Sequence, residues 1–373
     1  MRTPVCEMFG IEFPLVAFSH CRDVVAAVTN AGGMGVLGAV AYDPESLEHE
    51  LAWIDEQVGG RPYGVDVLVP GKIAEHAGDA DVAKYIPEEH RAFLTDLLAR
   101  YGVEPLPGEE GARGARGSGR RVTKQGATEL IDVALAHPIA LIASALGPPP
   151  PEMVAAARKK GVPVAALVGT VEHARRQVEA GADVIVAQGG EAGGHTGEIS
   201  TMVLVPEVVD AVAPRPVLAA GGIATGRQMA AALALGAAGV WCGSVWLTTE
   251  EAETPPVVKE KMLAATSRDT VRSRSRTGKP ARQLKSAWTE EWSREDGPGP
   301  LPMPLQMILA EGAMRRITRA SEAGVPGAQD LANYFVGQCV GQMNAVKPAR
   351  QVVYDMIEQF GDALERLEQV TKD

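Results

Sequence analysis

Residues 189–197 read GGEAGGHTG: five glycines around one glutamate, Glu191, and one histidine, His195, directly after the apolar run ADVIVAQ. Glycine lets backbone approach a flat ligand closely and adopt positive φ. Imidazole moves protons near neutral pH, which makes His195 the leading candidate for a catalytic group. Gln188, at the end of the run, can both donate to and accept from the edge of a heterocycle. Glu191 either orients this loop or its histidine, or faces water. A second bare turn, LAAGGIATGRQ (218–228), contains Gly221 and Gly222 before a helix beginning near Arg227, and WCGSVW (241–246) contains Gly243 and Ser244. Unencumbered amides beside a helix N-terminus present N–H donors to a phosphate. Tight turns alone would also use such glycines, but their recurrence in successive units favours a phosphate site. His20, in AFSHCRD, is a secondary candidate; His49 and His173 fall in helical stretches, and His76, His90 and His137 lie in or beside an insertion. No histidine or carboxylate cluster has metal spacing, HExxH and CxxC are absent, and no metal is expected. Gly-x-Ser-x-Gly and Walker loops are absent too, which argues against the usual hydrolases and NTPases.

The elements that must position these residues follow a simple rhythm. Apolar runs at 14–19, 34–40, 63–69, 140–146, 163–169, 183–189, 216–222 and 239–246 alternate with helical stretches such as SLEHELAWIDEQV and TVEHARRQVEAG. Eight strands this continuously apolar are buried on both faces, as in a (β/α)8 barrel. A doubly wound sheet is the alternative, but no Gly-x-Gly-x-x-Gly follows the first strand. In the barrel, every strand's carboxyl end opens on one mouth, where the glycine-rich turns meet. The expected organisation is an α/β (β/α)8 TIM barrel over 1–69 and 131–250, an insertion after strand three over 70–130, and a C-terminal helical cap over 251–373. Segment 107–126, PGEEGARGARGSGRRVTKQG, reads as a mobile surface loop.

The chain has 373 residues, 46% of them hydrophobic, enough for a large buried core. A net charge of −11 without a basic stripe argues against nucleic acid or an anionic membrane as the main partner. Cys6, Cys21, Cys242 and Cys339 are scattered, and neither a signal peptide nor a membrane-length apolar segment is evident. The expectation is a cytoplasmic enzyme with packing cysteines and a small-molecule substrate; size alone leaves a homodimer open.

The stretches VTNAGGMGVLGA (28–39), AQGGEAGGHTGEISTMVLVPEVVDAV and PVLAAGGIATGRQMAAALALGAAGVWCGSVWL together resemble the nitronate monooxygenase family, once called 2-nitropropane dioxygenases, which are FMN-containing (β/α)8 barrels. RSRTGKPAR and LANYFVGQCVGQM resemble that family's tail, and the loop signature is shared with FMN-dependent enoyl-acyl-carrier-protein reductases. The resemblance implies that Gln188, Gly193 and Gly194 contact the flavin. It gives the phosphate to Gly221 and Gly222 with Gly243 and Ser244, beside Trp241 and Cys242, and passes the backbone of Ala17, Phe18 and Ser19 beneath the ring. His195 would stand beside the reactive face, as a base toward a nitroalkane or as a cation fixing a nitronate. The implied chemistry is oxidation of an alkyl nitronate by FMN and O2 to a carbonyl compound and nitrite.

Two departures stand out. Ala17-Phe18-Ser19-His20 replaces the Ala-Pro-Met or Gly-Gly-Met of many members, and Asp66 stands where members often carry asparagine near the flavin. An acid there brings charge to a ring that becomes anionic on reduction unless the acid is paired or protonated; alternatively, Asp66 is a solvated strand end. Two other readings accompany the first: an FMN-dependent NAD(P)H reductase of an enoyl thioester or quinone, and a barrel that binds a phosphorylated metabolite without redox chemistry.

Overall fold

The eight apolar runs become β1 Leu15–Ser19, β2 Met34–Gly38, β3 Gly64–Val67, β4 Leu141–Ser144, β5 Val164–Val168, β6 Val184–Gln188, β8 Val217–Ala220 and β9 Gly239–Cys242 in a computed structural model. All pair in parallel, and β1 with β9 closes the barrel. The structure describes residues 1–68, 82–105, 124–145 and 147–372. The segment 107–126, expected to be a mobile loop, lies outside them apart from its last three residues.

Side chains alternate across each strand. Val16, Met34, Val36, Leu141, Val186 and Leu218 fill the barrel interior, which the helix Pro4–Phe9 closes from below with Val5, Cys6 and Phe9. The alternate residues face the surrounding helices, among them Arg22–Asn30, Pro44–Val58, Thr201–Val212 and Gly226–Ala234. Gly35 shows how close that contact is: a Cβ there would overlap the carbonyl oxygen and Cα of Val25 on the first of these helices. The helix Lys124–Ala136 packs against Pro44–Val58 and β3, as part of the ring between β3 and β4.

A separate core lies outside the barrel. Leu94, Leu97 and Leu98 of the helix Glu88–Arg100 meet Trp288, Trp292, Leu309 and Ile317 of the C-terminal region. Arg100 adds a two-pronged ion pair to Glu291, 3.0 and 2.9 Å. The C-terminal region is helical with one addition, the hairpin of β10 Thr270–Ser273 and β11 Ala281–Leu284. Its last helix, Ala349–Thr371, returns to lay Val353 and Met356 on the barrel layer. Among the described residues no helix is long and apolar enough to cross a membrane.

At the floor of the barrel, His137 contacts Asp55 through Nδ1 at 2.6 Å and Glu48 through Nε2 at 3.1 Å. Burial alone would lower the pKa of this imidazole, but its two carboxylate partners outweigh that and raise it above 6.5. A raised folded pKa means the contribution is fully present below the unfolded value and is lost as pH rises through the folded one. Denaturant midpoints of wild type and His137→Gln should therefore differ most just below neutrality and converge at alkaline pH. A constant difference would remove His137 as a source of pH-dependent stability.

Candidate active site

The loop after β6 is held by main chain at both ends. Gly189 N–H donates to Ala220 at 2.9 Å and Gly190 N–H to Ile199 at 2.8 Å. At its tip, Gly194–His195 forms β7, antiparallel to β11, with His195 opposite Ala281 and Gly194 opposite Arg282. Arg282 Nε donates to the Gly190 carbonyl at 2.9 Å, and Arg272 Nη2 to that of Thr196 at 3.3 Å. Glu191 turns inward as a helix cap: its carboxylate accepts from Thr201 N–H at 2.9 Å and from Thr201 Oγ1 at 2.9 Å, at the start of the helix Thr201–Val212. Glu191 thus orients the loop and not the histidine.

His195 Nδ1 lies 3.3 Å from the Pro280 carbonyl oxygen. A carbonyl can only accept, so this contact places the proton on Nδ1 and leaves a lone pair on Nε2. Burial lowers the pKa of the ring, opposed by the Pro280 contact and assisted by Lys279. The imidazole is therefore neutral at pH 7, the form that accepts a proton.

The inner wall of the mouth comes from strand ends. Phe18 stacks on Trp241, with ring centroids 6.3 Å apart and planes 23° apart, and meets His20 edge-on at 5.1 Å. His20 is held by Nδ1 at 2.9 Å from the Gly38 carbonyl, and burial lowers its pKa. A Cβ on Gly38 would come within 2.6 Å of that ring. Val65 and Val67 face the helices, so alternation turns Asp66 inward; Gln188, following outward Ala187, also points inward. Asp66 is buried and Gly38 is its neighbour across the strand pair. It is a strand end, but not a solvated one.

The turn after β8 shows what its glycines do. Gly221 and Gly222 have φ of +108° and +70°. The one proton of Thr201 Oγ1 is shared between the Glu191 carboxylate and the Gly221 carbonyl, 2.9 and 3.0 Å away, and Gln228 Nε2 donates to the Gly222 carbonyl at 2.6 Å. With the carbonyls drawn back, the amides of Gly221, Gly222 and Gly243 have no acceptor among the described residues. All three are partly exposed at the ends of β8 and β9, N–H donors of the kind that suit an anion. Gly221 and Gly222 also line a cavity of about 310 Å³ with Gln228, Gln338 and Cys339.

Other candidates sit apart from the opening or serve the chain itself. Ala17 and Cys242 are buried in the outer layer, with their side chains away from the barrel axis. Ser19 Oγ accepts from Cys21 N–H at 3.1 Å and shapes the turn after β1. Gly193 is bare because Val336 and Gly337 pass there: a Cβ would lie 2.9 Å from Gly337 N. Ser244 Oγ accepts from that same Gly337 N–H at 2.8 Å. Gly194, at φ +75°, faces open space. The contributions of Arg272, Pro280, Arg282 and Thr201 were missed in the sequence; the only signal was the alternating arginines of VRSRSRTGKPAR. One grouping of possible metal ligands occurs among the described residues, Cys21, Asp23 and Glu253. Its thiol donates to the Glu251 carbonyl at 3.0 Å and burial raises its pKa, which works against a thiolate ligand.

The closed parallel barrel, with a basic imidazole nitrogen, acceptor-free amides and stacked aromatic rings about its mouth, is a TIM barrel, and the comparisons with known proteins make it an oxidoreductase. The chain belongs to the nitronate monooxygenase family, whose sequence profile matches residues 2–359. It is 63% identical over 374 residues to Rv1533 of Mycobacterium tuberculosis, named as a candidate monooxygenase with no substrate, across 99% of both chains. It is 27% identical to a probable nitronate monooxygenase of Staphylococcus aureus, over 96% of this chain and 97% of the other. Among solved structures, nitroalkane oxidase from Streptomyces ansochromogenes superposes with a TM-score of 0.80 at 27% identity, covering 97% and 99% of the two chains. FabK from Thermotoga maritima gives 0.72 at 26% identity, over 99% of each.

Proposed function

We propose that this protein binds FMN across the barrel mouth and oxidises alkyl nitronates with O2 to a carbonyl compound and nitrite. The observation that carries the reading is the pairing, on one rim, of three amides without acceptors and a neutral imidazole with its Nε2 lone pair free. The amides of Gly221, Gly222 and Gly243 suit a phosphate. The aromatic wall of Phe18 and Trp241 and the amide of Gln188 suit a flat heterocycle with polar edges. Gly194 leaves room for it. Relatives named for nitronates and nitroalkanes support the same substrate class.

FMN, when bound, would supply the electron acceptor and the route to O2. The protein's share is to bind, orient and move a proton. In its neutral form His195 is suited to taking the proton from the carbon next to the nitro group, so that a nitroalkane would become a nitronate in place. The lowered pKa disfavours the other role considered for it, a cation that fixes the anion. The β7–β11 seam keeps the ring at the rim.

An anaerobic absorption titration with a simple alkyl nitronate tests this. Loss of the oxidised flavin bands on adding nitronate is the expected result. Bands that ignore nitronate but bleach with NADH or NADPH would transfer the assignment to reduction of an enoyl thioester or quinone. Protein without flavin, and unable to take it up, would leave a non-redox phosphate site.

A further inference from the structure

Asp66 is the one acid inside the upper barrel among the described residues, and nothing there answers its charge. It is 4% exposed, and its Oδ1 is sealed from solvent without a hydrogen-bond partner. Its neighbours across the strand pairs are Gly38 on β2 and Ala143 on β4, neither with a polar side chain. The titratable group beside this layer is His20 on the end of β1, whose ring lies against Gly38 and spends Nδ1 on the Gly38 carbonyl. Burial favours neutral His20, so it offers no positive charge. From β4 comes only Ser144, facing the other side of the strand; from across the barrel, Phe18, Gln188 and Trp241 are uncharged. Tyr63, Asp55 and His137 lie at the other end of β3. No lysine or arginine among the described residues pairs with the carboxyl, and burial alone pushes it up to about 7.

A buried carboxylate without a cation or donors is costly, whereas a buried carboxylic acid needs only an acceptor for its proton. We propose that Asp66 holds the ligand of the barrel mouth as the neutral acid, donating its O–H to a carbonyl oxygen or unprotonated ring nitrogen, so that a proton enters the site with the ligand. The inference rests on the reading of that ligand as FMN, whose ring offers such acceptors. An amide at this position would also present a hydrogen-bond donor, but only the acid titrates.

The test is binding of FMN to flavin-free protein, followed by flavin fluorescence and by calorimetry in buffers of different ionisation enthalpy. If binding requires the protonated carboxyl, affinity is full below about pH 7 and falls about tenfold per pH unit above it, on the order of 10² between about pH 6 and pH 9. Proton uptake should approach one per FMN at the alkaline end. Asp66→Asn keeps a donor without a titrating group, so it should bind with neither the slope nor the uptake. The titration of the ligand's own phosphate appears in both proteins and cancels in the comparison. A wild-type affinity that is flat or rises with pH, with no proton taken up, overturns the proposal, and this wild-type measurement decides even if the variant does not fold. Failure of wild type to bind FMN at any pH is a different result: it removes the FMN reading and this inference with it.

Discussion

Replacing His195 by asparagine is expected to lower turnover of a nitroalkane by a factor on the order of 10² to 10⁴, the usual contribution of a general base, while leaving FMN bound. The separation follows from how the loop is held. The β7–β11 pairing, the Arg282 contact with Gly190 and the Arg272 contact with Thr196 all end on main-chain atoms, so removal of the imidazole leaves the loop in place. Asparagine can still donate toward Pro280, but it has no basic nitrogen. The pH profile adds a second readout. Because burial lowers the pKa of His195 below 6.5, wild-type kcat/KM for a nitroalkane should rise with pH through that lowered value and then level off. The variant should lack the limb. Unchanged turnover, or an acid limb that survives the substitution, would remove His195 from the proton transfer.

Trp288→Ala should have the largest effect on stability. Its side chain is fully buried, 5.7 Å from the Trp292 ring, which in turn meets Phe93 of the helix Glu88–Arg100 edge-on at 4.9 Å. These rings join the segment after β3 to the C-terminal region. Truncating a buried tryptophan costs about 3–5 kcal/mol. Part of that is returned, on the order of 1 kcal/mol, because the indole N–H of Trp288 has no acceptor among the described residues and its removal relieves a buried orphan. A net loss of about 2–4 kcal/mol is expected in chemical denaturation, together with faster amide exchange across Glu88–Arg100. Trp288→Phe keeps most of the ring and also removes the orphan, so it should lose clearly less. An alanine variant no weaker than the phenylalanine one would show that the rings do not join the two segments.

The barrel was legible because its strands carry their evidence locally: each is a short run apolar on both faces, and eight of them recur with helices between. The helix Pro4–Phe9 was not, since six residues are too few to display a helical period, even with Thr3 capping it. The hairpin was hidden for another reason. Its strands are four residues each and place arginines at Arg272 and Arg282, so composition suggests a solvated stretch where the structure uses those cations to hold backbone carbonyls. In the site, the glycine-rich loops announced themselves, yet the reason for a particular glycine depended on a partner far along the chain. Gly193 makes way for Val336 and Gly337, and no local pattern contains that information. Asp66 is the converse. The residue was visible, but whether it met solvent, a cation or nothing was decided by closure of the barrel.

The seam between β7 and β11 bears on how such an enzyme can change. His195 is fixed by pairing with Ala281 and by the carbonyl of Pro280, both backbone relations. Hairpin side chains other than Arg272 and Arg282, which grip the loop's carbonyls, can therefore be exchanged without shifting the base. The position of the imidazole and the identity of most hairpin side chains are thereby set independently of one another.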